Sequence, residues 1–368
     1  SSAASDVYKR QGLSMIMNHE SLIATKARRV RTVAPKDALM EFGLRRAQGH
    51  SAGLWGARAA MIGGFNGTSN VEAGKQFGIP VLGTMAHSWV MSFDEEIDAF
   101  REYVRQYHDN LILLADTYNV LEMGVPHAIQ VFKELKEEGR LPGKYGIRID
   151  SGDIAYLSQE ATRMFTEAGF PDVIISGSND LDEYTIQSLK AQGCTVTSWG
   201  VGTKIITADG TSALGGVFKM AVKEADGKEV PVMKFSNDVE KMTNPGIKTV
   251  YRFYKKDTGK MITDLVCLHD EKAADGGDFT LVTESAKWRR KELKAGTYTV
   301  EELLRPVVEN GRNLPLPALF EIIRYADKQM DTLWPEYTRL LNPDLMEINL
   351  SDKLQTLKSE LIRRELGE

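Results

Sequence analysis

Residues able to do chemistry fall at the ends of short apolar runs, in seven clusters: "FGLRR" (Phe42, Arg45, Arg46), "GTSN" (Thr68, Ser69), "AHS" (His87), "ADTY" (Asp116), "RIDSGD" (Arg148, Asp150, Ser151, Asp153), "SGSND" (Gly177) and "WGVGTK" (Gly202, Thr203). Arg45 and Arg148 carry planar guanidinium forks suited to anions. Asp116, Asp150 and Asp153 add carboxylates at the same ends. The glycine-rich turns can present backbone N–H groups to a phosphate ahead of a helix. Each cluster taken singly has a plainer reading: "GVGT" as a tight turn, Arg45 or Arg148 as half of a structural ion pair, and "DSGD" as an N-cap and turn.

His87 sits in "GIPVLGTMAHSWVMSF", residues 78–93, after Gly83 and Thr84 and where a helix would begin. A neutral imidazole there can act as a nucleophile toward a phosphate. The alternative is a core or helix-start histidine held by one hydrogen bond. His19, His50, His108, His127 and His269 lie outside the clusters.

These residues need a frame that brings strand ends together. From about residue 38 to 205 the chain repeats an apolar, β-branched run, a turn and an amphipathic helix. The runs are "ALMEFGL", "MIGGFNG", "IPVLGTM", "LILLAD", "YGIRID", "VIISG" and "TVTSWG". Helical stripes lie between them: Ile97, Phe100, Val104 and Tyr107, then Leu157, Ala161, Met164 and Phe165. Strands apolar throughout must be covered on both faces, and such units in succession predict a (β/α) barrel with chemistry at the carboxyl ends of its strands.

Residues 12–205 are therefore read as the barrel domain, and residues 206–368 as the β-rich segment and helical C-terminal part of a second α/β (α+β) domain. Alternating strands with Gly and Asp turns predict antiparallel pairing there. Leu354, Leu357 and Leu361 predict a C-terminal helix behind a Ser351 N-cap. Residues 1–11, "SSAASDVYKRQ", show no periodicity and are set apart as a tag or linker.

Composition narrows the function. A 368-residue chain that is 42% hydrophobic and 26% charged, with net charge −5, can bury a large core and carries no basic footprint for nucleic acid or a membrane surface. The expected partner is a small molecule. Two cysteines, Cys194 and Cys267, lack metal-ligand spacing and fit a reducing compartment. No apolar run reaches the ~20 residues of a membrane span and no secretory pattern is present, so a cytoplasmic location is expected. The basic runs "KARRVRTVAPK" (Lys26, Arg28, Arg29, Arg31, Lys36) and "KWRRKELK" (Lys287 to Lys294) read as solvated faces.

The stretches "EFGLRRAQG", "GFNGTSNVEAGKQFGIPVLGTMAHSWVMSF", "GIRIDSGD", "SGSNDLDE", "WGVGTK" and "VMKFSNDVEKMTNPGIKTVYR" resemble the nicotinate phosphoribosyltransferase family, in order and over nearly all of the chain after residue 12. The resemblance implies an irregular barrel joined to an α/β domain, and a homodimer with composite sites. It implies a reaction of nicotinate with phosphoribosyl pyrophosphate to give nicotinate mononucleotide and pyrophosphate in NAD salvage, coupled to ATP hydrolysis through a phosphohistidine at His87. By the same resemblance Phe42 stacks on the pyridine ring, Arg148 meets the nicotinate carboxylate and Arg45 contacts phosphate or pyrophosphate. Asp150 binds the ribose hydroxyls beside Ser151. Asp116 orders the sugar or a metal-bound water, and Gly177, Gly202 and Thr203 hold the 5′-phosphate. Thr68 and Ser69 join the substrate set, and Mg2+ arrives bound to substrate. Lys234, Lys241, Lys248 and Arg252 match a basic motif that stabilises the second domain or contacts phosphates.

Family members carry a substantial N-terminal portion, which sends an aromatic residue across the dimer. The expectation is of a fragment that retains the barrel. The nearest rival, nicotinamide phosphoribosyltransferase, is expected to carry an aspartate where Ser69 stands, and that charge would repel a nicotinate carboxylate. Quinolinate phosphoribosyltransferase, which uses no ATP, gives no reason for the His87 motif. A non-catalytic binding or assembly protein is the reading from another class.

Overall fold

Five of the seven apolar runs pair in one parallel sheet together with the last residue of a sixth, "MIGGFNG", whose Met61 and Ile62 end a helix instead; the order is β2-β1-β6-β5-β4-β3, with β1 (Ala38–Glu41), β2 (Gly67–Thr68), β3 (Leu111–Leu114), β4 (Tyr145–Ile149), β5 (Ile174–Gly177) and β6 (Ser198–Val201). The structure, a computed structural model, describes residues 2–236, 242–273, 277–283 and 290–367. Two units divide it, Ser1–Gly215 and Gly216–Glu368.

The seventh run, "IPVLGTM", contributes only one parallel bridge, between Val81 and Thr68. Pro80 lacks the N–H that a ladder needs, which limits pairing there. Among the described residues no pairing joins this edge to β3, so the expected barrel is a curled, open parallel sheet. The interior is apolar where the runs predicted it: Leu39, Leu113, Ile147 and Trp199 are buried completely. β4 and β5 approach so closely at Gly146 that a Cβ there would lie 1.9 Å from the Ile174 carbonyl oxygen. Only glycine fits.

Helices of the first unit are α1 (Ser2–Val33), α2 (His50–Ile62), α3 (Val71–Phe77), α4 (His87–Val90), α5 (Glu96–Gln106), α6 (Val125–Glu137), α7 (Ile154–Glu167), α8 (Glu183–Ala191) and α9 (Thr203–Ile206). Asn70, Asp153 and Asp182 cap α3, α7 and α8 by accepting from Ala73, Tyr156 and Thr185 N–H at 3.1, 3.0 and 2.8 Å. Asp153 is thus an N-cap, the plainer of its two readings. Phe100 and Val104 of α5 and Ala161 and Phe165 of α7 are buried as their stripes predicted, while Tyr107 lies past the end of α5 and is exposed.

Two further expectations change. The segment 1–11, set apart on sequence, continues the helix α1 from Ser2. The basic run on that helix, expected as a solvated face, is largely engaged. Lys26 Nζ and Arg29 Nε pair with the buried carboxylate of Glu183 at 2.9 and 2.7 Å. Arg31 donates to the carbonyls of Gly64, Ala34 and Asp37 at 2.7 to 2.9 Å. These guanidinium contacts satisfy orphaned carbonyls at the end of α1 and in the turn after α2.

The second unit has a six-stranded sheet built from β9 (Lys248–Lys255), β10 (Met261–Leu268), β11 (Phe279–Thr283), β12 (Arg290–Leu293), β13 (Tyr298–Glu302) and β16 (Ile348–Leu350), with hairpins β7–β8 (Val222–Ala225, Lys228–Pro231) and β14–β15 (Val308–Glu309, Arg312–Asn313). Its pairings are antiparallel as expected except β10 with β16, which run parallel. Tyr251, Phe253, Leu265, Leu281 and Tyr298 form its core. Helices α10 (Leu319–Thr332) and α11 (Asp352–Leu366) follow, and Ser351 caps α11 by accepting from Leu354 N–H at 3.1 Å.

Candidate active site

Parallel strands place all their carboxyl ends on one side, and a cavity of about 780 Å³ opens there. Its lining includes eight of the predicted residues: Phe42, Arg45, Ser69, His87, Arg148, Asp150, Gly202 and Thr203. Phe42 follows β1, and its ring lies against the backbone of β6, where a Cβ on Gly200 would come within 2.7 Å of it. Arg45 and Arg46 sit on the short turn after Phe42, exposed and without an ion pair among the described residues.

Arg148 leaves β4 half-buried, with Nη2 donating to the Met85 carbonyl at 3.2 Å and a buried Nε that has no partner. Burial lowers its pKa from the ordinary arginine value, while the charges of Asp150 and Asp116 act the other way. A guanidinium remains charged under such pressure, so a partly desolvated one with spare donors is a receptor for a ligand anion. With Arg45 and Arg46 it sets three cations against the carboxylates of Asp150 and Asp180 on the cavity wall.

His87 begins α4 and stands at the cavity with 39% of its side chain exposed. Its Nε2 lies 3.2 Å from Asp116 Oδ1, and that carboxylate is 1% exposed. Asp116 Oδ2 in turn accepts from Asp150 N–H at 2.9 Å and from Ser151 O–H at 2.6 Å. In the tautomer that donates Nε2–H to Asp116, Nδ1 keeps its lone pair. Sequence reading placed His87 and Asp116 at strand ends. Only the fold shows that one carboxylate holds both the imidazole and the loop of Asp150.

Four predicted residues stand behind the lining. Thr68 is completely buried and donates to Glu41 at 2.6 Å. Asp116 lies under His87, Ser151 bonds to Asp116, and Gly177 lies within β5, one residue short of the cavity. Ser178, Asn179 and Asp180, the next three residues, reach it instead. Ser178 O–H donates to Asp150 Oδ1. Gly83, Thr84, Ala86 and Gly200 also line the cavity without having been assigned roles. Glu41 was missed as well; its signal was a lone carboxylate inside the apolar run "ALMEFGL".

In the second unit Arg252 makes a paired hydrogen bond with Asp264, both at 2.8 Å, which is the stabilising alternative of its two readings. Lys248 Nζ donates to the Gly246 carbonyl and Lys234 is exposed, whereas Lys241 and residues 287–289 of the second basic run lie outside the described residues. No helix of the described residues is long and apolar enough to cross a membrane.

The profile of the nicotinate phosphoribosyltransferase (NAPRTase) family matches residues 38–272, and that of the nicotinate phosphoribosyltransferase C-terminal domain matches residues 247–358. Nicotinate phosphoribosyltransferase of Bacillus subtilis is 41% identical over 351 residues, spanning 94% of this chain and 70% of that protein. The crystal structure of human nicotinic acid phosphoribosyltransferase superposes with a TM-score of 0.80 at 29% identity, covering 95% of this chain and 76% of the human one. Nicotinate-nucleotide pyrophosphorylase from Pyrococcus furiosus, at 22% identity and a TM-score of 0.66 over 88% of this chain and 73% of its own, shares the fold.

Proposed function

From the premise that the chain belongs to the nicotinate phosphoribosyltransferase family, enzymes of NAD salvage, we propose that its cavity joins nicotinate to phosphoribosyl pyrophosphate and that His87 carries a phosphoryl group from ATP. The observation that carries this reading is the placement of a half-exposed imidazole, held by a buried carboxylate, in the same cavity as three arginines. A ring slot beside Phe42 accepts the pyridine. Arg148 donates to its carboxylate, Arg45 and Arg46 donate to pyrophosphate, and Gly202–Thr203, whose N-cap no side chain fills, offers N–H groups to the 5′-phosphate. Magnesium enters as part of the pyrophosphate substrate.

The pyridine nitrogen attacks the anomeric carbon as the bond to pyrophosphate breaks. Positive charge grows on the ribose and negative charge on the leaving group, so Asp150 and the arginines stabilise opposite ends of the same transition state. In the coupled half-reaction Nδ1 of His87 forms a bond to the γ-phosphorus of ATP, and ADP leaves. Water later cleaves the N–P bond and releases phosphate. Asp116 accepts from Nε2–H and so steadies the imidazole as it gains positive character. A phosphoryl group in the cavity alters substrate affinity only through its different interaction with the free and bound states.

His87→Ala should therefore abolish acid-labile labelling from γ-labelled ATP and abolish ATP hydrolysis, while slow, ATP-independent formation of nicotinate mononucleotide persists at high substrate. Continued labelling of the alanine variant would sink the phosphohistidine. Family likeness further supports a homodimer, to be checked by sedimentation, with a monomer at micromolar concentration as the contrary result. Two free thiols, Cys194 and Cys267, suit a cytoplasmic location.

A further inference from the structure

Glu41 is completely buried in β1, between Met40 and the ring-bearing Phe42. Its two carboxylate oxygens receive two neutral donors from different segments. One accepts the N–H of Gly43, on the turn that delivers Phe42, Arg45 and Arg46 to the cavity. The other accepts the hydroxyl of Thr68 at 2.6 Å, immediately before Ser69. The Thr68 oxygen itself accepts from Asn70 N–H at 3.0 Å, so its hydrogen is committed to Glu41. The Glu41 carbonyl meanwhile accepts from Ser69 N–H at 3.0 Å.

The fold makes room for this arrangement. A Cβ on Gly43 would lie 2.7 Å from Glu41 Oε1 and 2.5 Å from Ile206 Cβ. Among the described residues no cation pairs with Glu41, and burial drives its pKa up against the lowering effect of the two hydrogen bonds. A buried carboxylate without a counter-charge costs desolvation and is held here by two hydrogen bonds, whose donors an apolar side chain would leave unsatisfied. What the carboxylate alone can do is accept from two loops at once.

We propose that Glu41 is a positioning residue that clamps both walls of the ring slot, holding the Phe42–Arg46 turn through Gly43 and the Ser69 turn through Thr68. This rests on the assignment of Phe42, Arg45 and Ser69 to substrate above. Loss of the clamp frees both walls, so substrates bind to a site that is assembled only part of the time.

The test uses Glu41→Met, Glu41→Gln and Thr68→Val in the full chain, with unfolding transitions and both KM values measured. Wild-type turnover in the same assay checks the substrate reading independently. Glu41→Met orphans the Gly43 N–H and the Thr68 hydroxyl, so its transition should fall, and in the enzyme that remains folded KM for nicotinate and for phosphoribosyl pyrophosphate should rise by about tenfold or more, as expected of lost preorganisation. Glu41→Gln, which keeps an acceptor for Gly43 but offers Thr68 only an NH2 donor, should return KM for phosphoribosyl pyrophosphate to within about threefold of wild type and leave KM for nicotinate raised as in Thr68→Val. Thr68→Val should raise KM for nicotinate alone, and adding it to Glu41→Met should change nothing further, because the two act through one contact. A purely structural Glu41 predicts loss of kcat in proportion to lost folded enzyme with both KM unchanged, and that result overturns the proposal. If Glu41→Met does not fold, an unchanged nicotinate KM in Thr68→Val overturns it equally.

Discussion

Ser69 is the residue at which substrate choice can be probed most directly. It lines the cavity, half-buried, one residue beyond the Thr68 that Glu41 holds. With nicotinate bound as proposed, a carboxylate placed there faces the substrate anion in a partly desolvated space, where like charges are poorly screened. Ser69→Asp should therefore reduce kcat/KM for nicotinate at least ~10-fold more than for nicotinamide, a selectivity change of about 1.4 kcal/mol. Equal losses on the two substrates would remove Ser69 from the specificity wall. The Asp116 contacts carry a related lesson. One carboxylate bonded to His87, Asp150 N–H and Ser151 ties the imidazole to the loop that follows β4.

At the scale of elements, the sheet depends on close approach of its central strands. Because Gly146 faces the Ile174 carbonyl at a distance that excludes any Cβ, Gly146→Ala forces β4 and β5 apart. A backbone obstacle cannot rotate away as a side chain can, so the expected loss is about 3 kcal/mol or more. Urea unfolding reads this as a lower midpoint, and an unchanged midpoint would mean that the strands have slack. The same displacement would move Arg148 and Asp150, which leave the carboxyl end of β4, so activity should fall with stability.

For the molecule as a whole, the two cysteines report separately on the two units. Cys267 is 2% exposed in β10, and burial pushes its thiol up to about 12, helped by the charges of Glu271, Glu302 and Asp270. A thiol so raised remains protonated through the neutral and mildly alkaline range, and the thiolate is the reactive form. Alkylation of native protein should leave Cys267 unlabelled with no increase between about pH 7 and pH 9, and unfolding should expose it. Peptide mass measurement distinguishes it from the partly exposed Cys194 of the first unit. Labelling of Cys267 in the native protein would show that the second sheet opens far below global unfolding.

Local pattern alone determined five of the seven expected barrel strands, the amphipathic helices between them, the Ser351 cap and the concentration of polar residues at strand ends. Each of these follows from side-chain periodicity and turn chemistry within about ten residues. Eight of the predicted site residues line one cavity for that reason, since parallel strands leave their ends on one side. Tertiary structure decided what depends on neighbours distant in sequence. Pro80 and the edge position reduced a seventh strand to a bridge, and the tail strand β16 paired parallel with β10. Glu183 turned a basic helix face into buried ion pairs. Strand β5 ended one residue before the cavity, so Ser178 rather than Gly177 reaches it. The carboxylates of Glu41 and Asp116 became the supports of the site because burial removes water and leaves each to be satisfied by whatever donors the fold supplies. No periodicity in the chain encodes which donors those are.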